Sequence, residues 1–156
     1  MSIRSGAKAI IIKDGSILLN RCRKADGVYY DLPGGGQEQY EALEDAVLRE
    51  VKEETGYTAR ILRFAALAEE IHTDPFVREK HPEFSHRVLH LFLAELTDDE
   101  PQAPTELDYG MEAPVWMPIS EFRQRHNTYP PALPARIDEI LASPGALWLG
   151  TTYTYK

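Results

Sequence analysis

The stretch GGQEQYEALEDAVLREVKEETGY, residues 35–57, decides how this chain is read. It runs from a glycine loop through Glu41 into Arg49-Glu50-Val51-Lys52-Glu53-Glu54-Thr55-Gly56. Glu50, Glu53 and Glu54 stand at i, i+3 and i+4, so a helix makes them neighbours. Like charges at that spacing repel by roughly 0.2–0.5 kcal/mol per pair. Ordinary packing gives no reason to collect them. A bound cation does.

Helical phase separates this reading from that of a solvated acidic face. At about 100° per residue, with Leu43 at zero, Val47 falls at about 40°, Val51 at about 80° and Ala46 at about 300°. Those positions define the core-facing arc. On the same scale Glu50 falls at about 340° and Glu54 at about 20°, inside the arc, with Glu53 at about 280° on its edge. A solvated face belongs on the opposite side, where Asp45 and Lys52 lie. Carboxylates aimed at a core must be protonated, paired or metal-bound. Hard oxygen ligands select Mg²⁺ or Mn²⁺ over zinc. Arg49 reaches Asp45 or Glu53 at i±4, either as a surface ion pair or as a group orienting Glu53, and spacing leaves both open.

Gly34-Gly35-Gly36 permits positive φ and close backbone approach. Leading into the acidic helix, the triplet reads as a loop that brings backbone groups to a metal and a phosphate. Upstream, Ala7–Lys13 and Ser16–Arg21 read as a hairpin about the turn pair Asp14-Gly15, and residues 28–32 as a short strand. The helix is expected over residues 42–55, ended by Gly56 and with no Ser, Thr, Asp or Asn at its start. Residues 59–71 and 87–96 are apolar enough for core strands. The segment between them, 72–86, reads as an inserted loop covering a site. Beyond an acidic turn region at 97–104, a strand over 114–119, a helix from Ser120 as N-cap to Arg125, and a last helix over 135–142 are expected. The tail, Ala146 to Tyr155, has strand character. Its aromatic residues need burial, either against the chain's own sheet or in a homodimer.

The length of 156 residues suits one domain spanning 1–156. A formal net charge of −8 argues against a protein that grips nucleic acid through a basic surface. It does not argue against phosphate substrates, because a divalent metal inverts the local field. Cys22 is the only cysteine, which excludes an internal disulfide and suits a reducing, cytoplasmic setting. The apolar run near the N-terminus is too short for a secretory segment or membrane span. His72, His81, His86 and His90 lack compact zinc spacing.

The spacing Gly35-x5-Glu41-x7-Arg49-Glu50-Val51-x-Glu53-Glu54-x-Gly56 resembles the Nudix box, the mark of the Nudix hydrolase family, with all seven charged or glycine positions present. Tyr57 stands where an aliphatic residue is more usual, a change of packing and not of chemistry. Leu32-Pro33-Gly34-Gly35 after a hairpin, and Trp116-Met117-Pro118-Ile119 before a helix, are similar to the rest of that domain. The resemblance implies an α/β fold, an α/β/α sandwich around a mixed β-sheet. It further implies hydrolysis of a nucleoside diphosphate linked to another moiety. In it Glu50, Glu53 and Glu54 hold Mg²⁺ (or Mn²⁺) with the Gly35 carbonyl, Arg49 orients the cluster, and Glu53 is the preferred base. Glu112 or a residue of 72–86 is the alternative base.

On the substrate side, Arg21 and Arg23 are candidates for phosphate contact, and exposed charge at a strand end is an equally good reading. Tyr30 is a candidate for stacking on a base, with core packing at least as good. The expected partner is a small, nucleotide-derived phosphate, with no nucleic acid and no membrane. No motif marks a particular diphosphate derivative. The competing class is a catalytically silent domain of the same fold that binds a nucleotide as a regulator; an intact acidic cluster disfavours it. RNA processing is disfavoured by the absence of a basic stripe.

Overall fold

A computed structural model describes residues 2–154. The β-branched run at the start forms strand β1 (Arg4–Lys13), which turns back into β2 (Ser16–Lys24). Asp14 and Gly15 both have positive φ, 50° and 75°, as a two-residue hairpin turn with the twist of its strands requires. The two strands pair only at Ile12 with Ile17 and Lys13 with Ser16, then part. Into the gap runs the segment after β3 (Gly27–Asp31), whose glycines form the short strand β4 (Gly34–Gly36) on β1. This splay delivers the glycine loop to the place where the acidic helix arrives.

That helix, α1, spans Leu43–Thr55, with Ala42 as an N-cap that offers no side-chain hydrogen bond. Gly56 closes it at φ 76°, its N–H donating to the Lys52 carbonyl at 2.9 Å. Strands β5 (Ala59–His72) and β6 (His86–Leu96) follow, antiparallel to each other, with β6 parallel to β1. The connection between them holds helix α2 (Pro75–Lys80). Next come β7 (Met111–Pro118), the short helix α3 (Ile119–Phe122), β8 (Thr128–Tyr129), α4 (Leu133–Ala142) and β9 (Leu147–Thr154). The sheet is mixed, in the order β8-β3-β2-β1-β6-β5-β9, with β4 also on β1 and β7 also on β2.

Two cores flank the sheet. Ala46, Val47 and Val51 of α1 pack on Ala7, Ala9, Ile11, Leu18 and Phe92. Phe122, Leu133, Ile137 and Ile140 of α3 and α4 pack on Ile10, Ile17, Leu19 and Leu91 from the other side. Alternation along β1, with Ala9 and Ile11 to one side and Ile10 to the other, feeds both. The result is the expected α/β/α sandwich around a mixed sheet.

Three expectations change. Residues 72–86 are not a plain loop: besides α2 they hold a 3₁₀ turn, Pro82–Phe84. Asp74 caps α2, its carboxylate accepting from the Phe76 N–H at 2.8 Å, with Pro75 at the first helical position; the Asp-Pro pair is a helix-start signal that the histidines and charges around it obscure. Strand β7 starts earlier than expected, at Met111. The helix after it begins at Ile119 behind Pro118, so Ser120 is inside it and not its cap. The tail pairs in parallel with β5 and extends the chain's own sheet, with Trp148 and Tyr153 about half exposed. Tyr155 lies outside the described residues.

Gly56 admits no side chain. A Cβ there would stand 1.7 Å from the Gln102 carbonyl oxygen, on a backbone of positive φ. Gly56→Ala is therefore expected to cost about 2 kcal/mol or more of folding stability. Urea denaturation measures it, and a loss below about 0.5 kcal/mol, the range of an ordinary surface substitution, would refute the steric account.

Candidate active site

Glu54 is 3% exposed and sits where three segments meet. Its Oε2 accepts from Asn20 Nδ2 at 2.7 Å and from the Gly34 N–H at 3.0 Å. Beneath it the buried Lys8 Nζ donates to Asp31 Oδ2 at 2.9 Å and to the Leu32 and Gly34 carbonyls at 3.2 and 3.0 Å. Desolvation pushes the Glu54 carboxyl up to about 8, against the nearby positive charge of Lys8. Burial alone would lower the Lys8 ammonium, but Asp31 and Glu54 outweigh it and hold the pKa above its ordinary value. Asn20 Oδ1 is buried without a partner.

One turn back, Glu50 lies against the glycine loop: a Cβ on Gly35 would come within 2.6 Å of the Glu50 carboxylate. Only glycine lets the backbone and that side chain meet so closely. Burial raises the Glu50 carboxyl despite the adjacent Arg49. Arg49 bridges the cluster. Its Nε donates to Glu41 Oε1 at 2.7 Å, its Nη1 to Glu50 Oε1 at 2.9 Å and Glu53 Oε2 at 3.1 Å, and its Nη2 to the Gly36 carbonyl at 3.2 Å. The Glu41 hydrogen bond foremost holds the guanidinium above its usual pKa, and Arg49 in turn holds Glu41 below the usual carboxylate range. Arg49 thus binds three carboxylates at once, more than i±4 spacing alone suggests.

These groups line a cavity of about 300 Å³, with Glu38, Glu106 and Asp108 adding carboxylates and Arg4 a second guanidinium. The loop after β6 reaches it because the Thr105 and Glu106 N–H groups both donate to the Glu53 carbonyl, at 2.9 and 3.1 Å. An adjoining cavity of about 140 Å³ is lined by Arg4, Lys8, Gly34–Gly36, Phe84 and Arg87.

The donor set fits a hard divalent cation. It offers carboxylate oxygens beside a bare glycine backbone, and the Gly35–Glu50 approach is one that a side chain would fill. As placed, the carboxylates do not form a closed cage. Glu50 and Glu53 turn to Arg49, Glu54 turns to Asn20, and among the described residues no three His, Cys, Asp or Glu side chains converge on one point.

Of the substrate-side candidates, Arg21 and Arg23 both pair with Glu112, Arg23 at 2.5 Å. Arg23 and Glu112 line a different cavity, of about 730 Å³, with Tyr29, Tyr109 and Met111. Tyr30 packs on the α4-side core, its ring 5.2 Å from the Arg125 guanidinium. None of these four forms a hydrogen bond or ion pair with Glu50, Glu53 or Glu54. His86 pairs with Glu69 at 2.7 Å and His90 Nδ1 with the Gly6 carbonyl at 3.0 Å. Sequence reasoning misses Asn20, Lys8, Asp31, Glu106 and Asp108. A lysine amid the apolar run 7–12 is a usable signal; the others depend on tertiary contacts alone.

Comparison with known proteins gives the family. The family model described as NUDIX domain matches residues 3–136. A Nudix hydrolase structure from Nitrosomonas europaea is similar at TM-score 0.70 with 19% identity, covering 90% of this chain and 88% of that one. A MutT Nudix hydrolase from Burkholderia pseudomallei is 29% identical at TM-score 0.65, over 86% of this chain and 96% of that one. An ADP-ribose pyrophosphatase from Streptococcus suis is 20% identical at TM-score 0.63, over 94% and 99%. No curated protein matches. The chain belongs to the Nudix family and is a Nudix pyrophosphohydrolase. No helix among the described residues is long and apolar enough to cross a membrane.

The raised Glu54 has a thermodynamic consequence. The folded state holds this proton more tightly than the unfolded chain, so the stability it contributes is full below about pH 4.5 and falls as pH rises toward about 8. Metal-free protein is therefore expected to melt at lower temperature at about pH 8 than at about pH 5, and Glu54→Gln to flatten that slope. Thermal melts of both proteins in chelator check it; equal slopes would remove Glu54 as the cause.

Proposed function

We propose that this chain hydrolyses the diphosphate linkage of a nucleoside diphosphate joined to another moiety, in a reaction that depends on Mg²⁺. The observation that carries the reading is the meeting of the Gly34–Gly36 backbone with Glu50 and Glu54 on the core-facing side of α1. Glu50, Glu53, Glu54 and the Gly35 carbonyl would hold the ion. When bound, it supplies Lewis-acid activation of water and neutralises charge on the phosphates.

The protein's own residues divide the remaining work. Asn20 and the Gly34 N–H fix the Glu54 carboxylate, so its orientation is set before substrate arrives. Arg49 ties Glu50 and Glu53 together and offsets their repulsion. Glu53 is the most open of the three, its side chain 28% exposed against 16% for Glu50, and it takes the proton from the attacking water. The new bond forms between water oxygen and phosphorus; the bridging phosphorus–oxygen bond breaks, and its electron pair stays on the leaving phosphate.

The S. suis neighbour named as an ADP-ribose pyrophosphatase shares the fold with this chain, and its substrate class is one arm of the test. A panel of nucleoside diphosphate sugars, ADP-ribose and nucleoside triphosphates, assayed for nucleoside monophosphate formation with and without Mg²⁺, identifies the substrate. On it, Glu53→Gln and Glu54→Gln are each expected to lose about 100-fold or more of the metal-dependent turnover, with circular dichroism unchanged. Wild-type turnover in both variants would sink the mechanism. Tight metal-dependent nucleotide binding with no hydrolysis by the wild type would replace it with a regulatory binding domain.

A further inference from the structure

The acidic cavity poses a problem that its metal ligands do not solve. A diphosphate entering it meets a wall of carboxylates, and only groups not already committed to an acid can greet the phosphate that lies away from the ion. Arg49 is bound by Glu41, Glu50 and Glu53. Lys8 is bound by Asp31, and Arg87 by the buried Glu70. Arg4 is different. Among the described residues no carboxylate pairs with it, and it is the one cation that borders both the acidic cavity and its neighbour.

Its guanidinium is also held in place. It lies over the Phe84 ring at 5.1 Å, and it also presses on the glycine loop, where a Cβ on Gly36 would come within 2.5 Å of Nη2. A ring in the 3₁₀ turn and a bare glycine thus confine a planar cation at the mouth of the site. A guanidinium so held, with uncommitted N–H groups, suits bidentate contact with phosphate oxygens.

We infer that Arg4, oriented by Phe84 and Gly36, binds the phosphate of the substrate's diphosphate that is remote from the metal carboxylates. This rests on the pyrophosphohydrolase reading above, and it explains what residues 72–86 contribute, since they present the ring that positions Arg4. Arg4 touches substrate; Phe84 acts through it as a positioning residue.

The probe is methylenediphosphonate, whose bridge resists hydrolysis, titrated calorimetrically into the full chain in excess Mg²⁺. Arg4→Ala is expected to weaken binding about tenfold or more, while Mn²⁺ affinity measured without the probe stays within about twofold. Arg4→Lys should recover only part of the loss, because a point charge cannot make the bidentate contact. Phe84→Leu should weaken binding about twofold to fivefold, and adding it to Arg4→Ala should cost nothing further. Arg60→Ala, which removes an exposed ion pair with Glu95, serves as the neutral control.

Equal binding by wild type and Arg4→Ala, a parallel fall in Mn²⁺ affinity, or additive effects of the two substitutions would each overturn the assignment. So would a wild type that fails to bind the probe. The two readings fail separately. Probe binding that needs Arg4, in a protein that hydrolyses no diphosphate, removes the enzyme and keeps the site. Turnover indifferent to Arg4 removes the site and keeps the enzyme.

Discussion

The structure depends on one buried carboxylate. Glu54 joins β2 through Asn20, the glycine loop through the Gly34 N–H, and α1 through its own backbone, three segments distant in sequence. An ionised carboxyl removed from water costs several kcal/mol unless partnered. That constraint explains features that otherwise look unrelated: an asparagine inside an apolar strand, a buried lysine beneath it, and a strand pair that parts after two residue pairs to admit a glycine turn. Remove the carboxylate and none of these has a reason. Keep it, and the rotation of α1 about its axis is fixed along with the height of the loop above it.

Position along the helix deepens the electrostatic problem. Glu50, Glu53 and Glu54 occupy the last turns of α1, where the helix dipole is negative and acidic side chains are disfavoured. The opposite end already has Glu44 and Asp45, which the dipole welcomes. Burial and dipole therefore act together against ionisation of Glu50 and Glu54, in the direction of their raised pKa values. Arg49 relieves part of this by spanning Glu41, Glu50 and Glu53. The relief is incomplete, since Glu54 takes no hydrogen bond from it. The unrelieved part is what a divalent cation would satisfy.

Much of this is legible in the sequence, for reasons that differ by element. The phase of α1 is readable because Val47 and Val51 fix the core direction and the glutamates share it, and Glu54 is indeed buried. The hairpin turn at Asp14-Gly15 is readable because few residue pairs tolerate two positive φ angles in succession. The α2 segment reads wrongly as a loop because its histidines, prolines and charges outweigh the short Asp74-Pro75 start. The partners of Glu54 are invisible: Asn20 is an ordinary polar residue until β1 and β2 part. The pairing of Arg21 and Arg23 with Glu112 is likewise invisible, because sequence shows charge at a strand end and not what folds back onto it.

The division of labour in the site follows from where each part of the chain is constrained. The carboxylates, the glycines and Asn20 are tied to one another by burial and close approach, so none tolerates independent change. The walls facing them are of another kind. Phe84 comes from a short turn between β5 and β6, and Asp108 from the irregular run before β7; both stand in connections whose lengths the sheet does not dictate. The buried unit is fixed by its own contacts, and those connections are the part of the wall that packing leaves free. The same logic places Arg4 between the two: its backbone is locked into β1 opposite β6, while its side chain takes its direction from Phe84. A residue so placed links the buried unit to the connection between β5 and β6.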